Sequence, residues 1–154
     1  MKNFKIDLLI GYNQIQLRTR TYSEKLTQWT EKHLHQGAIL HKNYLVFDPI
    51  ADGTFGASIN IYETEHFVMD KNAKRCILTS IENIKKNPII LSSMESIELK
   101  IDNSRKKYSV YFEVCEAEEV YYNITLTPYL SGMDSKFIID DEWGGIKDSL
   151  LILG

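Results

Sequence analysis

Residues 107–128 read KYSVYFEVCEAEEVYYNITLTP, and the phase of their side chains decides the fold. Tyr108, Val110, Phe112 and Val114 alternate with Ser109, Tyr111, Glu113 and Cys115. Val120, Tyr122, Ile124 and Leu126 repeat the pattern after a short polar connection. Period-two alternation on both sides of a tight link predicts an antiparallel hairpin with one buried face. Glu116, Glu118 and Glu119 then fall at the hairpin tip. Tyr111, Glu113, Tyr121 and Asn123 share the other phase, expected to face solvent.

The same rhythm recurs outward from this hairpin. FGASINI places Phe55, Ala57, Ile59 and Ile61 on one face, and ESIELKI does the same with Ile97, Leu99 and Ile101. Turn signals (ADG, DNS, SG) separate the runs. Strands are expected near 5–17, 39–47, 55–63, 75–82, 95–101, 107–115, 120–128 and 135–139. About eight such strands predict a mainly β (α+β) protein, an antiparallel β-sandwich. One segment has helical rhythm instead. Thr21 and Glu24 have capping-box spacing, Tyr22, Leu26, Trp29 and His33 line one face, and Gly37 suits a C-terminal cap. The spacing predicts a helix over 22–36 that covers one face or end of the sandwich.

At 154 residues, with no repeat or Pro/Gly linker, the chain is read as one domain over 1–154. The start MKNFKIDLLIG is interrupted by Asp7 and lacks a small-residue cleavage site, and no apolar run reaches membrane length, so a cytoplasmic protein is expected. Cys76 and Cys115 fit buried, reduced thiols. The net charge of −3 is unevenly placed. Residues 113–154 carry nine acidic side chains against only Lys136 and Lys147. Phosphate binding demands cations, so direct nucleic-acid binding is not expected, and the acidic end points to a basic partner.

No catalytic motif is present. His33 and His35 lie about 200° apart on a helix and cannot share a metal, and a helix C-terminus favours imidazolium without any catalysis. Asp140, Asp141 and Glu142, followed by Trp143, could grip a hard cation but lack the spacing of a calcium loop. A solvated turn is the better reading of them. Neither cysteine has a basic neighbour that would favour a thiolate. The chain is therefore read as non-enzymatic, without cofactor or metal.

The order of elements resembles a known family. IDLLIGYNQIQL, a strand with Tyr12 and Gln14, precedes QWTEKHLHQG, with Trp29 and the closing Gly37. NYLVFDP, FGASINIYETE and ILSSMESIELKIDNSRKKYSVYFEV follow. Over roughly residues 6–116 this is similar to the competence protein J family, described as inhibitors of the DNA-entry nuclease. The stretch from Glu118 onward is longer than the family pattern.

The resemblance implies a nuclease inhibitor, which agrees with the charge. A nuclease cleft is cationic, and clustered carboxylates can replace its phosphate contacts. The expected partner is a basic nuclease or nuclease-toxin domain, either in competence or as the target of an immunity protein. The expected partner surface comprises Glu113, Glu116, Glu118, Glu119, Tyr111 and Tyr121, with Asp140, Asp141, Glu142 and Trp143. Pairing of two copies through the aromatic strands is a further option. The alternative reading is a carbohydrate or small-ligand module, with Tyr111, Tyr121 and Trp143 as stacking surfaces.

Overall fold

A computed structural model describes residues 2–154. Eleven strands form two sheets. They are β1 (Lys2–Ile10), β2 (Ile15–Arg18), β3 (Ala38–His41), β4 (Tyr44–Phe47), β5 (Phe55–Glu63), β6 (Ala73–Glu82), β7 (Ile90–Ser92), β8 (Ser96–Glu98), β9 (Lys107–Glu116), β10 (Val120–Pro128) and β11 (Lys136–Phe137). The six-stranded sheet runs β1-β5-β10-β9-β6-β11 and the five-stranded sheet β3-β4-β2-β7-β8. All pairings are antiparallel except β5 with β10.

The core lies between the sheets. Ile6, Leu8, Ile59, Ile124 and Phe112 come from the larger sheet, and Leu17, Leu45, Phe47 and Leu91 from the smaller; all belong to one buried cluster. The Phe47 and Phe112 rings stack across the interface at 4.2 Å and 6°. Side chains from the two inner faces meet to form this single core.

The expected strand over 5–17 is two strands in different sheets. They are divided by a turn in which Tyr12 (φ 55°) and Asn13 (φ 52°) are both left-handed. The Gln14 N–H donates to the Gly11 carbonyl at 3.3 Å to close it. Consecutive left-handed residues define a type I′ turn, normally the preserve of Asn and Gly. A tyrosine there is uncommon. The expected strand over 39–47 is likewise the β3–β4 hairpin, and β7 was not anticipated.

The helix over 22–36 is corrected. The segment forms a 3₁₀ turn, Glu24–Thr27, and a separate helix α1, Glu31–Gln36. Gln28 between them is extended (φ −83°, ψ 107°). Leu26 and Trp29 pack on a small buried cluster of Ile39, Tyr44 and Val46, on the outer side of the five-stranded sheet, while Tyr22 stays exposed. One straight helix carries all four predicted residues along one line, whereas the break lets the chain lie down over a short hairpin. The capping box exists at Thr30 and His33, not at Thr21 and Glu24. Gly37 caps α1 as expected, with φ 78° and its N–H on the His33 carbonyl at 2.8 Å.

His33 is a structural residue for a different reason than the helix dipole. Its Nδ1 accepts the Thr30 N–H at 3.1 Å, and Nε2 meets the Gly154 oxygen at 2.8 Å. Those partners require the neutral Nε2–H tautomer. Gln36 completes the latch, its Oε1 accepting the Ile152 N–H at 2.8 Å and its Nε2 donating to the Ile152 carbonyl at 3.0 Å.

Candidate functional site

The β9–β10 hairpin forms in the predicted register, with Val120 opposite Glu116 and Ile124 opposite Phe112. Glu116, Glu118 and Glu119 are exposed at its tip. Each projects into water, and their mutual repulsion is screened there.

Glu113, Tyr111 and Asn123 do not face solvent, and this corrects the expected surface. Glu113 and Asn123 are 1% exposed and Tyr111 7%. Residues 64–72 cross the outer face of the large sheet and cover them. Phe67 stacks on Tyr111 at 3.9 Å and 1°. The Asp70 N–H donates to Glu113 Oε2 at 2.8 Å. Asn123 Nδ2 reaches Asp70 Oδ2 at 3.0 Å, and the Tyr121 hydroxyl donates to the same oxygen at 2.9 Å. Asn60, Asn123, Glu113 and Cys76 pair across neighbouring strands as one polar row beneath this strap. Burial pushes the Glu113 carboxyl up, against the pull of the Asp70 N–H and the Asn123 amide. Burial also acts to raise Asp70, but the Asn72 N–H, Asn123 and Tyr121 outweigh it and hold that carboxyl low. The tyrosine platform of the carbohydrate reading is thus absent: Tyr111 lies under Phe67, and Tyr121 is half-buried with its hydroxyl engaged.

Asp141 is likewise structural. Its side chain is fully buried against Arg75, with Arg75 Nε to Oδ2 at 2.8 Å and Nη2 to Oδ1 at 3.1 Å. Oδ1 also accepts the Trp143 N–H at 2.9 Å and the Gly145 N–H at 2.8 Å. The Arg75 guanidinium lies 5.3 Å from the Phe137 ring centroid and 5.8 Å from that of Trp143. Asp141 therefore fixes the turn that presents half-buried Trp143. Asp140 caps the same turn by accepting the Lys147 N–H at 2.8 Å, and Glu142 is exposed. Among the described residues, no three His, Cys, Asp or Glu side chains are placed to hold a metal ion.

Trp143 separates two hollows. One, of about 230 Å³, is lined by Trp143, Ile50, Val120 and the tip residue Glu116 among others. The second, of about 340 Å³, is lined by Tyr12, Trp29, Leu34, Asp48, Asp52 and Trp143, with Arg75 beneath. Glu116, Trp143 and this second hollow thus form a continuous surface. Tyr12 is 75% exposed, held out by its strained turn. Asp48 Oδ1 accepts the Ile50 N–H at 2.7 Å, in a turn where Ile50 is also left-handed (φ 69°). Three of the five non-glycine left-handed residues described, Tyr12, Asn13 and Ile50, border this hollow. Backbone strain concentrated at one place marks functional surfaces more often than structural ones.

Of the residues predicted for the partner surface, the structure brings Glu116 and Trp143 together and removes Glu113, Tyr111 and Asp141 from it. In the sequence, Asp48 and Asp52 suggest only a turn built on Pro49 and Gly53, and whether Tyr12 and Trp29 serve the core or a site is left open by their spacing. The signal that was available is the pair Tyr12-Asn13, since asparagine favours the left-handed region and directs its neighbour outward.

The comparisons with known proteins agree with this architecture. The family profile described as Competence protein J (ComJ) matches residues 7–127, most of the chain. No curated protein matches the sequence. Among solved structures, the chain is similar to ComJ of Bacillus subtilis, the inhibitor of the DNA-degrading activity of NucA. The identity is 15% and the TM-score 0.66, over 83% of this chain and 98% of that one. It is also similar to the protein described as crocagin biosynthetic gene J, at 13% identity and TM-score 0.51, over 84% and 98% of the two chains. Asp140 to Trp143 lie beyond the matched residues, yet Asp141 is bound to Arg75 inside them. By that match over residues 7–127, the chain belongs to the competence protein J family.

Proposed function

We propose that this protein is a non-catalytic inhibitor that binds and neutralises a nuclease. The observation that carries the reading is the exposed tip of Glu116, Glu118 and Glu119, continuous with Trp143, on a member of a family named for competence protein J. A nuclease must attract polyphosphate, so its cleft is cationic, and the tip offers three carboxylates in its place. Trp143, whose backbone N–H is held by Asp141, supplies an aromatic anchor of the kind that dominates interface energetics. The protein acts in the cytoplasm, where two unpaired thiols are at home. There it serves as immunity against a nuclease toxin, in the setting of bacterial competition, and makes no direct contact with nucleic acid.

The test is inhibition of DNA or RNA cleavage by a basic nuclease of the NucA type, with affinity followed against salt. The variant Glu116→Gln/Glu118→Gln/Glu119→Gln is expected to slow association at least tenfold at low salt and to flatten its salt dependence. An unchanged affinity and salt slope would remove the electrostatic mechanism. A wild-type protein that neither binds nor inhibits would remove the inhibitor reading itself.

A further inference from the structure

The hollow beside Trp143 carries a more specific assignment, which rests on the inhibitor reading only for the source of its ligand. We infer that it is a receptor for a guanidinium group, occupied in the complex by an arginine side chain of the nuclease. The acidic tip would then steer the partner, and this pocket would seat one residue of it.

Three observations support this. First, the charge is unbalanced in one direction. Arg75 lies in the floor, but its charge is committed to the bidentate pair with Asp141. The remaining charged lining groups are the carboxylates of Asp48 and Asp52, so the open space favours a cation. Second, the walls are aromatic, with Tyr12, Trp29 and Trp143 around the same space. Aromatic faces attract cations, tryptophan most strongly, and guanidinium stacks on them where ammonium does not. Third, the walls are set in advance. The Asp48 carboxylate is held by the Ile50 N–H, and the backbones that carry Trp143 and Tyr12 are fixed by Asp141 and by the left-handed turn, so little backbone order is lost on binding. About 340 Å³ is at the small end of ligand sites and accepts a side chain rather than a folded segment.

The two tryptophans of the chain, Trp29 and Trp143, both line this hollow, so tryptophan emission reports its occupancy directly. The experiment titrates the intact protein with acetyl-Gly-Arg-Gly-amide, using acetyl-Gly-Glu-Gly-amide and N-acetylglucosamine as comparators. A saturable emission change with the arginine peptide alone is expected, with Kd in the millimolar range, on the order of what one buried side chain provides. Asp52→Asn, an exposed residue, is expected to weaken it about fivefold or more, and neutralising the three tip glutamates to change it less than about twofold. No saturable change with the arginine peptide, an equal response to the glutamate peptide, or a response to the sugar alone overturns the assignment.

Nuclease inhibition is measured in parallel to separate the two claims. If the nuclease is inhibited but the arginine peptide does not bind, the pocket assignment falls and the inhibitor reading stands. If the peptide binds but no nuclease is inhibited, the pocket keeps its guanidinium preference and the inhibitor reading falls.

Discussion

Arg75 and Asp141, sixty-six residues apart in the chain, form a bidentate ion pair whose side chains are 2% and 0% exposed. The pair joins β6 to the turn that presents Trp143, so it shapes the candidate site and places Arg75 in the floor of its hollow.

Breaking this pair from one side leaves a buried charge without a partner. Asp141→Asn and Arg75→Met are each expected to cost about 3–5 kcal/mol. Urea unfolding followed by far-UV dichroism measures the loss. Equal stability of either variant and the wild type would show that water reaches the pair.

The pair also sets an acid limit. Burial works to raise the Asp141 carboxyl, but Arg75 and the Gly145 and Trp143 N–H groups outweigh it and hold it below the usual carboxylate range. A depressed carboxyl stabilises the fold above its unfolded pKa of about 3.9, and that contribution disappears as pH falls through the lower folded value. Stability of the wild type should therefore drop steeply below about pH 4. In Asp141→Asn that part of the slope should be missing.

Glu113 should act in the opposite sense. Its folded pKa is raised, so its contribution is complete below the unfolded value of about 4.3 and is lost as pH rises through the folded one. Glu113→Gln removes this titration while keeping an acceptor for the Asp70 N–H. The unfolding free energy of the variant, relative to wild type, is expected to climb with pH just above about pH 4.3. A constant difference across that range would place the Glu113 proton elsewhere.

Gly37 and Gly53 offer a controlled comparison. Both are left-handed, at φ 78° and 81°, but a Cβ at Gly53 meets open space while one at Gly37 would collide with the Arg75 guanidinium. Gly53→Ala is expected to cost about 1–2 kcal/mol, the conformational cost alone. Gly37→Ala should cost clearly more and shift the Trp143 emission, since Arg75 must move.

Both thiols should be inert in the native state. Cys76 and Cys115 are buried, and burial pushes each thiol well above its ordinary value, with Glu113 adding repulsion. Labelling with a disulfide reagent at pH 8 is expected to be slow for both and complete only after unfolding. Rapid native labelling of either would show that the strap over β9 and β10 opens readily.

What could be read from the sequence follows physical range. The β9–β10 hairpin was legible because its alternation and its register are set by neighbours a few residues apart. The strap was not, because nothing local to Tyr111 or Glu113 indicates that Phe67 and Asp70, more than forty residues earlier, come back over them. The helix was misplaced for a related reason. Tyr22, Leu26, Trp29 and His33 have helical spacing, but Ile39, Tyr44 and Val46 offered Leu26 and Trp29 a better surface than a continuous helix could reach. Glu116 and Trp143, which border one hollow, could be singled out by type alone, as an acid at a tip and an aromatic beside glycines. Tyr12 and Asp52 could not be, because their roles come from a turn and a hollow assembled by distant segments.

The parallel joint between β5 and β10 governs when this protein can fold at all. Asn60 and Asn123, which meet there through their side-chain amides, are sixty-three residues apart, and β1 reaches the rest of its sheet only through β5. Long-range pairings of this kind are slow, in the millisecond-to-second range for β-rich proteins. On the ribosome, the β1–β5 ribbon must wait unpaired along one edge until residue 128 has emerged. At roughly 5–20 residues per second, that interval lasts several seconds. The surface that this sheet supports therefore exists only seconds after the N-terminal half of the chain has been made.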